Sequence, residues 1–304
     1  MRLWEAATGS VIKVLAGHVG RVWSAAFSPD GALLATTGED ATVRLWNIET
    51  GQSVGTLQGH AGAARCCTFA PDGSMLVTVG DDATVRLWDW ATNTLLYTMH
   101  GHIGMVRGCA FSPGGALLAT VGDDSTVRLW DPSTGTLIRV MHGHTWWVRG
   151  CCFSPDGALL ATVSDDTTVR LWDPVAGEQV NTLRGHSERV LNPRFSPDGD
   201  LLATAGGDST IRLWDPSKGT PIRTLYGHTG RVMNCVFSPD GTLLASAGTD
   251  QTARIWGVNN GECVAALRIG HPLTRCAWHP REATICLAGQ GGVYMLSYKA
   301  LHCQ

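Results

Sequence analysis

The 304-residue sequence has no run of about 18 apolar residues that could cross a bilayer as a helix. It has no Gly-x-x-x-x-Gly-Lys-Ser/Thr loop to cradle nucleotide phosphates, and no C-x-x-C pair to hold a metal ion. Neither charge is in excess. The 23 basic residues face 26 acidic ones for a net charge of −3, so no overall field draws the molecule toward nucleic acid or an anionic membrane. The first ten residues, MRLWEAATGS, carry no basic-then-apolar leader pattern. These absences set the expectation of a cytoplasmic protein, or a nuclear one in a eukaryote, with no membrane partner and no cofactor.

Cysteine is present, ten times, but without a paired framework. Cys67, Cys109, Cys151, Cys235 and Cys276 each stand two residues before an aromatic side chain, one structural position repeated. In the adjacent pairs Cys66-Cys67 and Cys151-Cys152, strand geometry turns neighbouring side chains to opposite faces, where they cannot chelate one ion. The thiols read as small core residues.

What dominates is internal repetition. Gly-His pairs begin at Gly17, Gly59, Gly101, Gly143, Gly185 and Gly227, each 42 residues after the last, and a seventh follows at Gly270. Between them runs one template: an apolar stretch ending in Phe-Ser-Pro-Asp-Gly, then Leu-Leu-Ala-Thr, an acidic turn, and Thr-Val-Arg-Leu-Trp-Asp. The first full unit predicts four strands, a at 22–27, b at 33–37, c at 42–46 and d at 53–57, with Pro29-Asp30-Gly31 and Thr50-Gly51 as turns. A lone four-stranded sheet cannot bury both faces, so neighbouring copies must stack around an axis as blades.

Period, Gly-His and Trp-Asp together resemble WD-repeat propellers over nearly the whole chain. The resemblance implies an all-β fold, a seven-bladed β-propeller with four-stranded antiparallel blades, forming one domain over residues 1–304. It also implies a buried tetrad of histidine, strand-b hydroxyl, turn aspartate and strand-c tryptophan. In the first unit these are His18, Thr36, Asp40 and Trp46; the sixth has His228, Ser246, Asp250 and Trp256, and the four units between are equally complete. A His/Thr/Asp set could otherwise be taken for a hydrolytic triad, but six copies at one spacing argue for scaffold, and no catalytic or metal-binding residues are assigned.

The last unit departs from the template. Residues 273–278, 284–288 and 293–297 read as strands a, b and c, while Gln290 and Leu296 replace the aspartate and the tryptophan. No strand d follows, whereas residues 11–15 match one, so the N-terminal strand is expected to join the last blade and close the ring. Residues 1–4 repeat the end of a strand c, which suggests a chain that starts inside a unit, cut from a longer protein or an older array.

Function is sought where the repeats differ. At the third and fifth positions after each histidine stand Arg21 and Trp23, Ala63 and Arg65, Met105 and Arg107, Trp147 and Arg149, Arg189 and Leu191, Arg231 and Met233. Trp146 adds a second indole. The loops carrying them lie on the rim that the resemblance identifies as the top. Arginine, tryptophan and methionine are interface-rich types, and Arg21, Trp23, Arg65, Met105, Arg107, Trp146, Trp147, Arg149, Arg189, Arg231 and Met233 form the candidate partner-binding set. Glu39, Asp81, Asp123 and Asp165 occupy the neighbouring b-to-c turns, so Arg65, Arg107 and Arg149 have a second reading as internal ion pairs. Trp23 has one as core at the channel mouth. The recurring strand-c arginines, Arg44 to Arg254, are expected to cover the sheet with their stems while the guanidinium stays wet.

The leading function is therefore a monomeric, non-enzymatic scaffold or adaptor that binds a protein or peptide. A second reading, from similarity to propellers of bacterial signalling proteins, is the ligand-sensing C-terminal module of a larger signalling NTPase or kinase. A third is RNA or DNA binding, against which the acids and the net charge count. Deletion of residues 1–15 is expected to lower the melting temperature by many degrees; an unchanged value would contradict the N-terminal closure.

Overall fold

In a computed structural model of the chain, residues 2–4, 11–15, 17–279, 284–289 and 292–297 are described. All regular elements among them are β-strands. The first blade consists of Val22–Phe27, Leu33–Gly38, Val43–Asn47 and Ser53–Leu57, paired antiparallel in chain order, and five further four-stranded sheets repeat this pattern. Six blades thus have four strands, not the seven expected. The last unit builds a three-stranded sheet, Leu273–Trp278, Thr284–Gly289 and Gly292–Ser297. Val11–Val14 pairs with Arg2–Trp4, and Arg2–Trp4 runs beside Gly292–Ser297. Gln290, the residue read in place of the turn aspartate, lies outside the described residues.

The first strand of each sheet lines a central cavity, so that Leu273–Trp278 lies between Val232–Phe237 and Val22–Phe27. In the first five blades strand b is buried along its whole length, because it is covered by a neighbouring sheet on either face. The apolar core is accordingly divided into seven slabs between neighbouring sheets. One holds Leu33, Val43 and Leu45 of the first blade against Phe69, Leu76 and Trp88 of the second. Another holds Leu34 and Trp46 against Cys286 and Ala288 of the three-stranded sheet, with Leu15 beside them.

Tryptophan sits in these slabs with a polar N–H that must be satisfied, which is what the tetrad does. In the fourth blade Trp172 Nε1–H donates to Thr162 Oγ1 at 2.8 Å, and Thr162 Oγ1 lies 2.9 Å from His144 Nε2. His144 Nδ1 lies 2.7 Å from Asp166 Oδ2. Because the carboxylate can only accept, Nδ1 carries the proton and Nε2 accepts from the threonine hydroxyl. Asp166 also takes the backbone N–H of Thr145 at 3.1 Å, which ties the d-to-a loop to the b-to-c turn. All six sets are built this way. Each also has a fifth member that the sequence reading did not single out, the threonine opening strand c: Thr168 Oγ1 donates to Asp166 Oδ1 at 2.6 Å, and Thr42, Thr84, Thr126, Thr210 and Thr252 do the same in their blades.

The strand-c arginines are less wet than expected. The side chains of Arg86 and Arg128 are 14% and 12% exposed and reach within 3.8 and 3.7 Å of the tetrad aspartates Asp82 and Asp124. In the first six Gly-His pairs the guanidinium lies over the glycine, and a Cβ on Gly59 would stand 2.5 Å from Arg86 Nη1. Glycine admits that approach without displacing the arginine, whereas Gly270 of the seventh pair has nothing within 4 Å.

Two predictions follow from the tetrad. Thr162→Val leaves an indole N–H and an imidazole nitrogen unpaired in the core, so stability should fall by about 3 kcal/mol in urea unfolding; a loss under about 0.5 kcal/mol would mean the hydroxyl is dispensable. Burial holds His18, His60, His144 and His228 below the ordinary histidine value of 6.5, despite the neighbouring aspartates. Below that pH the unfolded chain therefore binds more protons than the folded one, and stability present at neutral pH is lost as pH falls through 6.5. The urea midpoint should drop between pH 7 and 5.5; a midpoint that rises would contradict neutral tetrads.

Candidate functional site

The top rim is positioned by two backbone devices. In each innermost strand the register slips by one residue at the same place, between Val148 and Gly150 in the fourth blade. The skipped residue sits on a β-bulge, which re-aims its side chain. These skipped residues are Trp23, Arg65, Arg107, Arg149, Leu191, Met233 and Thr274, and together with Arg275 they line a cavity of about 140 Å³ at the mouth of the channel. Second, the carbonyl of the third residue after each histidine accepts a backbone N–H from the b-to-c turn, as Trp147 does from Asp165 at 3.0 Å and Met105 from Asp123 at 2.9 Å. Only main chain is used, so the side chain at this position is free to vary from blade to blade.

The structure therefore sorts the candidate residues into two rings. Trp23, Arg65, Arg107, Arg149 and Met233 form the inner ring. Arg21, Met105, Trp147, Arg189 and Arg231 occupy the outer position, with Trp146 beside Trp147. Arg21 and Arg231 are exposed, Met105 half-buried, and Trp146 and Trp147 are 55% and 39% exposed.

Three inner arginines are committed to acids. Arg65 pairs with Asp81 through Nε at 2.5 Å and Nη2 at 2.7 Å. Arg107 with Asp123 and Arg149 with Asp165 form the same fork. Their side chains are only 16–18% exposed, so these bidentate pairs are stronger than open surface pairs. Asp165 also has Arg189 Nη1 at 3.8 Å. The forks fix guanidinium planes beside indoles: Arg65 lies 4.2 Å from the centroid of the Trp23 ring, and Trp147 has Arg107 at 5.3 Å and Arg149 at 5.1 Å. Trp23 keeps its Nε1–H buried and without an acceptor among the described residues, and Arg21 lies 5.7 Å from its ring.

Two exposed apolar residues of this rim escaped the sequence reading, Val19 at 76% and Ile103 at 81%. They follow the histidine directly, where other units have Ala61, Thr145, Ser187 and Thr229; that contrast was the available signal. Trp90, on the opposite rim, donates its Nε1–H to Gly73 O at 2.8 Å and packs edge-on to Phe69, capping its own blade. No group of three metal-ligating side chains converges among the described residues, and no helix there is long and apolar enough to cross a membrane.

Comparison with known proteins gives two findings. One curated relative is the "Probable cytosolic iron-sulfur protein assembly protein Ciao1" of Anopheles gambiae, 56% identical over 34 residues. That match covers 11% of this chain and 10% of the relative's length, less than one repeat. The family model described as "WD domain, G-beta repeat" matches residues 9–47, 51–89, 93–131, 135–173, 177–215 and 219–257, most of the chain. The chain accordingly belongs to the WD40 repeat family.

Proposed function

We propose that this protein is a protein-interaction scaffold whose top rim receives a peptide or the edge of a partner protein, with no catalytic role. The observation that carries the reading is Trp147. A large indole is left 39% exposed while two arginines, each locked by its own aspartate, hold it in place. A rigid aromatic anchor loses little entropy on binding, which is how a few residues come to dominate an interface. Trp146 stands beside it with ring centroids 6.3 Å apart, Ile103 is exposed on the same rim, and Arg21, Arg189, Arg231 and Met105 add further side chains there. The six His/Thr/Asp sets have their donors and acceptors engaged within the scaffold, which supports a binding rather than a chemical role. The relative's name, an assembly protein of the cytosol, is in keeping with a scaffold and with a cytosolic location, although it bears on a single repeat.

As part of the same reading, the three-stranded sheet and the N-terminal pair make up a seventh blade, and the protein works as one monomeric propeller over residues 1–304. Leu15 in the slab between the first and last sheets supports this closure.

In affinity capture from the native host, Trp147→Ala is expected to weaken recovery of the principal partner at least tenfold, the scale of an interface hot spot, while Trp90→Ala on the opposite rim leaves it unchanged. The converse pattern would move the site to the other face.

A further inference from the structure

Below the mouth, the channel widens into a cavity of about 680 Å³ walled by the innermost strands. Its lining contains two cations, Arg194 and Arg275, and no aspartate or glutamate. Neither guanidinium forms an ion pair or a hydrogen bond among the described residues. Every other arginine that points toward the axis at the mouth has an acid in its b-to-c turn. The fifth and sixth blades carry Leu191 and Met233 at the bulge and Gly207 and Thr249 in the turn, so that side of the mouth offers no acid to Arg194 or Arg275. Both arginines line this one cavity, and the charges of both act on the Cys276 thiol, which burial nonetheless raises.

Half-buried guanidiniums without a counter-charge are uncommon, and an unfilled ion site is one physical reason for them. Low-dielectric walls concentrate their field within the cavity. Asn234 lines the same space; its Oδ1 accepts the Cys276 N–H at 3.1 Å, which leaves its NH₂ as a donor. Ser24 adds a hydroxyl.

We infer that the central channel is a binding site for a small multiply charged anion of the phosphate class, held by Arg194 and Arg275 with Asn234 and Ser24. A guanidinium fork matches phosphate oxygens in pairs, and two forks call for a ligand with more than one charged group, such as a diphosphate. A cavity of this volume lies within the ordinary range for small-molecule sites. The site shares Arg275 with the mouth of the channel but uses none of the exposed outer residues of the rim, so anion binding is tested independently of partner docking.

Inorganic pyrophosphate titrated into the full chain at constant ionic strength, followed by calorimetry, should show saturable binding to one site. Arg275→Met and Arg194→Met, each checked for folding by circular dichroism, should weaken it at least tenfold, and Arg231→Met, on the exposed rim, should not. A measurement on the unaltered protein avoids dependence on variants: pyrophosphate should protect Arg194 and Arg275, but not Arg231, from phenylglyoxal, as read by peptide mass spectrometry. Heats no different from those of sodium chloride, equal protection of Arg231, or unreduced binding in the folded variants would overturn the site. Tighter binding of citrate than of pyrophosphate would overturn its assignment to phosphate chemistry.

Discussion

The whole molecule depends on one constraint: a tryptophan N–H buried between two blades must find an acceptor. Threonine supplies it from strand b, histidine turns the hydroxyl, and an aspartate fixes the histidine while taking a backbone N–H from the next loop. A chain of donors running in one direction through a low-dielectric slab leaves no member replaceable alone. Its acidic end is correspondingly fixed. Burial pushes the Asp124, Asp166 and Asp208 carboxyls upward, yet hydrogen bonds from histidine, threonine and backbone outweigh it and hold them well below the usual carboxylate range. The turn after each aspartate bears the consequence, with Ala41, Ala83, Ser125, Thr167, Ser209 and Gln251 all in the left-handed region at φ between 61° and 69°.

From this anchoring the rim inherits its rigidity. The tetrad aspartate and the backbone bond between loop and turn hold the d-to-a loop at two points without using its variable side chains. A bulge then directs one residue per innermost strand toward the axis. The scaffold thus offers positions whose side chains are free to differ, and the first four blades fill them with arginines, indoles and acids that lock one another. Variation is separated from stability by geometry: the repeat-locked residues lie within the slabs, and the variable ones project from the ends and into the channel.

Much of this was legible in the sequence because the repeat supplied its own internal comparison. The strand at 22–27 and the strand at 53–57 were read to the residue, since proline, glycine and the period of two bound them on both sides. The inner and outer rings could not be told apart, because a bulge changes the direction of Trp23 or Arg149 without leaving a mark on spacing. Pairing of Arg65, Arg107 and Arg149 with acids was weighed as one of two readings, and only the fork geometry decided it. The threonine of strand c was hidden by its ordinariness, as threonine is common in any strand. Arg194 and Arg275 were hidden for a different reason. Each occurs in one unit alone, so the template that revealed the tetrads averaged them away, and their isolation is visible only once the ring brings them to one cavity.

The central claim, that partners dock on the rim built by the tetrads, is tested most directly by hydrogen–deuterium exchange on the protein with and without a captured partner. Slowed exchange should be confined to the top loops, above all the segments after His102 and His144. Slowing over the outer d strands or the Pro-Asp-Gly turns, with the top loops unchanged, would contradict the account.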